Sequence, residues 1–164
     1  MSVRALFGLS ALMSLVASSV LAKLYVWPRL RIVDRGDALV PLVAPHMFLR
    51  FIGLSFLVRG VVSPSLPAAF AVPAAYGDFV SGLLAIVAVL ALSRRVRWAI
   101  PLVWIFNVWG AADLLCAGVQ GPINHLDPSA LGASFFIPTA SGPHLLVTHA
   151  LVFGILMQPT PTVL

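Results

Sequence analysis

The 164-residue chain contains no glutamate, one cysteine and few charges of either sign. Only 9% of its residues are charged, against about a quarter in ordinary soluble domains. With 60% hydrophobic residues and a mean hydropathy of +1.04, that scarcity excludes an ordinary soluble fold. The lone Cys116 excludes an intrachain disulfide and any multi-cysteine metal site. The signatures of soluble enzymes are missing as well: there is no GxSxG, phosphate-binding glycine loop, HExxH or CxxC. Basic residues are absent from 63–77 and 120–142, so the net charge of +5 comes from elsewhere.

What is present is a succession of apolar runs near the length that crosses a bilayer, about 20 residues as helix. They predict an all-α integral membrane protein of one domain: a five-helix bundle with spans at about 5–22, 42–62, 76–93, 98–119 and 143–158. The first run resembles a secretory signal, ending Val20-Leu21-Ala22 before Lys23. Ser10, Ser14, Ser18 and Ala22 instead form a row of small residues suited to close helix contact, which favours a retained span. Pro41 and Pro45 open the second span. Pro64, Pro67 and Pro73 break 63–77 into a short interfacial segment, which places Asp78 in the first turn of the third span. Asp127-Pro128 reads as the N-cap and first residue of a short helix through Phe136, the second interfacial piece.

Seven of the ten basic residues lie in two connections, 23–41 and 94–97. Basic connections stay on the cytoplasmic side, so this clustering predicts the N-terminus outside and the C-terminus inside. It accounts for the high pI without any nucleic-acid partner. In general composition the chain resembles small multi-pass proteins of bacterial inner membranes; no motif ties it to a family of known activity. The expected partners are the lipid bilayer and either another membrane protein or a second copy of the chain.

Function is sought in polar residues placed where hydrocarbon makes them costly. Trp98–Val119 carries Asn107 and Asp113; the second span carries His46, Arg50 and Arg59; the last carries His144 and His149. At about 1.5 Å per residue, Asp113 and His149 fall some 8–9 Å below the outer ends of their spans. Equal depth pairs them, and the same reasoning pairs Arg59 with Asp78 and Arg50 with Asn107. A protonated, neutral Asp113 is the other way to hold that acid in hydrocarbon. His46 is placed in the opposite leaflet from His144 and His149, which disfavours a haem between them. A single metal on Asp113, His144 and His149 is hampered by a five-residue spacing that splits the two histidines between helix faces. No cofactor is therefore expected. Three functions remain: an accessory or assembly protein whose buried charges specify helix packing, which ranks first; binding or transport of a small solute, lipid-like molecule or proton; and a membrane-embedded enzyme using Asp113 and His149 as acid and base.

Overall fold

A computed structural model of the chain describes residues 1–158, and within them the fold is all-helical without a strand. Five helices are long and apolar enough to cross a membrane: α1 (Val3–Leu30), α2 (Arg35–Leu57), α3 (Ala68–Ser93), α4 (Ala99–Ile123) and α5 (Ile137–Leu156). The expectation for the C-terminal end concerns residues 159–164, which lie outside the described residues.

The helix boundaries differ from those read off the prolines, and the difference moves the polar residues. α2 begins at Arg35 rather than 42, keeps Pro41 inside its first segment, and tightens to a 3-10 helix over Arg50–Leu57. α3 begins at Ala68 rather than 76, with Pro73 inside it. A proline one turn past a helix start forfeits a single backbone bond and need not end the helix. α5 begins at Ile137 rather than 143, entering through a π turn over Ile137–Ser141. Asp78 therefore lies well inside its helix instead of in a first turn. His46 moves to the middle of its helix, and His149 moves about two turns further from the start of its own.

The four helices α2, α3, α4 and α5 close a ring in which each packs on the next. α1 stands outside it, packed along α5 and held off α3 and α4. Gly154 gives α1 its anchorage: Trp27 lies where a side chain at 154 would be, with ring atoms about 3 Å from an ideal Cβ. Ser18 Oγ also meets His144 Nδ1 at 3.3 Å, so one member of the small-residue row makes the α1–α5 contact.

The ring interior is layered. One end is an apolar core of small and branched side chains, among them Leu39, Val43, Ala88, Val103 and Ile155. The other end is a second apolar cluster around Phe56, Phe70, Ala75 and Leu131. Buried polar side chains lie between the two. At the second end the two proline-rich connections meet, Ser63 N–H donating to Ala130 O (2.9 Å) and Ala133 N–H to Val61 O (3.0 Å). Gly132, at φ +53°, permits this approach, because a Cβ there would strike the Val61 carbonyl. The short helix in the second connection is a 3-10 helix, Pro128–Phe135. Its N-cap is Asp127, whose carboxylate accepts from Ser129 N–H at 3.1 Å. That backbone bond holds the Asp127 carboxyl below the usual range, helped by the Ser129 side chain and the Arg4 charge.

Candidate functional site: a charged layer at the floor of an apolar cavity

Arg50 is the centre of the polar layer and is fully buried. A guanidinium carries five N–H donors in a rigid fork, and here each has an acceptor. Nη1 donates to Asp78 Oδ1 (2.7 Å) and to Asp113 Oδ2 (2.9 Å). Nη2 donates to the Gly110 carbonyl (2.6 Å) and to His149 Nε2 (2.9 Å). Nε makes a longer bond, 3.5 Å, to His46 Nδ1. One arginine from α2 thus joins α3, α4 and α5.

The remaining bonds determine the tautomers. Thr148 donates its hydroxyl proton to Leu145 O (2.7 Å), so it accepts from His46 Nε2–H (2.8 Å). His149 offers the lone pair of Nε2 to Arg50, so its Nδ1–H donates to Asn107 Oδ1 (2.7 Å). Asn107 returns a bond from Nδ2 to the His149 carbonyl (3.2 Å). Both imidazoles are then neutral, because each uses a lone pair to accept from the guanidinium. The two rings also touch, with centroids 4.5 Å apart. Among the described residues no fully buried side-chain nitrogen or oxygen lacks a partner, and no group of three or more His, Cys, Asp or Glu residues is gathered that could hold a metal.

Of the eight residues singled out by sequence, six meet here: His46, Arg50, Asp78, Asn107, Asp113 and His149. Their pairing differs from the ladder expected from depth. Asp113 and His149 each bond Arg50 rather than one another, and Arg50 takes Asp78 and Asp113 in place of Asn107. His46 lies beside His149, not in an opposite layer. The cause is the shifted helix starts, which bring all six to one level. Arg59 is exposed, beyond the end of α2 and without an acidic partner among the described residues. His144 belongs to the α1 contact instead of the cluster.

Three glycines that drew no attention in the sequence make the cluster sterically feasible. A Cβ on Gly53 would strike the Asp78 carboxylate, and one on Gly77 the Asp113 carboxylate. A Cβ on Gly110 would come within 2.6–3.0 Å of the His149 ring and Arg50 Nη2. Each is one of two glycines in its expected span, and which of them faces a neighbour is invisible in the sequence.

Above the layer lies a cavity of about 660 Å³ between α1 and the ring. Its walls are apolar: Phe7 and Leu15 of α1, Phe70 and Ala74 of α3, Ala117 and Gly118 of α4. Asp78 and Asp113 reach it from the charged layer, and Arg4 and His125 line it at the end of the connections. Arg50 engages one oxygen of each carboxylate. The other oxygen of each accepts no hydrogen bond among the described residues: Asp78 Oδ2 packs against Gly53 and Asp113 Oδ1 against Gly77, and neither is fully sealed from accessible space. Such a site can receive a mostly apolar molecule and offer its polar end two acceptors.

Fold and site together define a class: an all-helical chain with five helices of membrane-spanning length and hydropathy, enclosing an arginine–carboxylate cluster beneath an apolar cavity. The chain belongs to the family described as "Domain of unknown function (DUF8737)", whose model matches residues 6–157. No curated protein and no solved structure matches it.

Proposed function

We propose that this is a multi-pass protein of a bacterial inner membrane that binds or transports a small lipid-like molecule. The N-terminus is outside, and the connections around Arg31 and Arg95 are cytoplasmic. The orientation is supported by the fold bringing the two basic connections to one end, where Arg95 approaches Asp37 at 3.4 Å. Membrane insertion is supported by the outward apolar surface of α1 and α4, including Leu12, Val16, Ile105, Val108 and Leu115, which water would not tolerate as continuous patches.

The observation that carries the binding reading is the cavity floor. A cluster that served packing alone needs no cavity beside it. Here two carboxylates, each with an oxygen that accepts no hydrogen bond among the described residues, line an apolar space of a volume usual for small-molecule sites, about 300–1,000 Å³. That α1 packs on α5 and not closely on α4 supports entry of a lipid-like ligand between α1 and α4, both of which line the cavity. The Arg50 network also supports the assembly role as a second reading, because it ties four helices with every donor satisfied.

Filling the cavity tests the proposal. Gly118 lines it, and an added Cβ there meets nothing within 4 Å. Gly118→Leu should fold normally and lose at least tenfold in affinity for apolar ligands, read by native mass spectrometry of protein purified from membranes and by ligand displacement in nanodiscs. A parent protein that carries no ligand and binds none, or a Gly118→Leu variant that binds as the parent does, would leave the assembly role standing.

A further inference from the structure

We infer that the ligand's polar end is a protonated amine, held by the Asp78 and Asp113 carboxylates at the cavity floor. This rests on the binding reading above and names its substrate class: a hydrophobic organic amine bearing one positive charge.

Facing the two carboxylates from every packed element are Arg50 and His46 of α2, His149 of α5, and Arg4 and His125 at the far end of the cavity. Both His46 and His149 accept from the guanidinium and so carry no charge. Arg50 supplies one positive charge against two carboxylates, while Arg4 is exposed at the far end, beside Asp127 and not at the floor. The floor therefore lacks one positive charge, in surroundings where an unbalanced charge is costly. A single proton or a single ammonium supplies it. The Asp78 side chain is only 10% exposed and Asp113 13%, yet both residues line the same cavity, and each keeps an oxygen that accepts no hydrogen bond among the described residues.

An ammonium fits the geometry better than other head groups. It has donors and no acceptor, and the floor offers acceptors and no free donor, since all five arginine N–H groups are committed. A carboxylate or phosphate would meet two like charges. An alcohol could donate one bond and leave the charge deficit in place. The apolar walls take the hydrocarbon body.

The test uses three probes that share one body: 4-phenylbutylamine, 4-phenylbutanol and 4-phenylbutyrate, added to the full-length protein in nanodiscs of uncharged lipid. Binding is read by equilibrium dialysis against empty nanodiscs and by the shift in thermal unfolding. The amine should bind saturably and at least tenfold more tightly than the alcohol, with the butyrate weakest. Its affinity should fall as pH is lowered, because a proton on either carboxylate removes the same deficit. Asp113→Asn should bring amine affinity down to that of the alcohol and leave the alcohol unchanged; Asp78→Asn should do the same if Asp113→Asn does not fold. Alcohol binding equal to amine binding in the parent would overturn the amine assignment and leave the cavity reading intact. Absence of binding by all three would overturn both.

Discussion

At the scale of single residues, Arg50 is the one side chain on which the interior depends. A buried charge stabilises only when its partners are present and well placed, and removing one partner costs far more than the pair contributes. Arg50→Met deletes the donors of four side chains and a carbonyl and leaves Asp78 and Asp113 against each other. It should destabilise the protein by about 3–5 kcal/mol, seen as an earlier midpoint in SDS titration and thermal unfolding. Adding Asp78→Asn and Asp113→Asn to Arg50→Met should recover most of that loss, because no uncompensated charge then remains. An Arg50→Met variant as stable as the parent would contradict the hub. Arg50→Lys is no conservative replacement here, since one ammonium cannot reproduce a five-donor fork. The residues of this cluster were legible in the sequence one at a time, as ionisable or amide groups in apolar runs. Their mutual partners were not, because a pairing depends on helix phase and start, and a shift of a few residues re-pairs the whole set.

At the scale of elements, small residues decide how near the helices come. Gly53 on α2, Gly77 on α3 and Gly110 on α4 each leave space for a side chain arriving from a neighbouring helix. Gly110→Ala should push His149 and Arg50 apart and cost about 1–3 kcal/mol, as overpacking usually does. Gly77→Ala should act likewise by displacing Asp113 from Arg50, and should also weaken amine binding. Gly8→Ala on α1 is the control: nothing lies within 4 Å of the added carbon, so stability should be unchanged or slightly higher, as expected from helix propensity. Thermal unfolding of the three variants side by side checks the contrast. Proline shows the opposite limit of reading elements from sequence. Pro67 and Pro128 do stand at helix starts. Pro41, Pro73 and Pro122 lie within helices, where packing on neighbours outweighs one lost backbone bond.

At the scale of the whole molecule, the ring of four helices with α1 outside it leads to a topological expectation. With Cys116 replaced by alanine, a cysteine at Ser2 should react with an impermeant maleimide added to intact cells, and one at Ser93 should react only after the membrane is opened. Reversed labelling would refute the proposed orientation. The sequence by itself determined the helical class, the number of long apolar helices and the basic character of two connections. Those properties follow from hydropathy and local charge, which need no neighbour to be defined. Only the tertiary structure decided that α1 leans on α5 and the short 3-10 helix beside it, that a cavity opens there, and that one arginine serves two acids and two histidines. Each of these depends on where helices begin and which faces meet. A bundle settles such matters by jointly satisfying its buried donors and acceptors, and no single stretch of chain contains that balance.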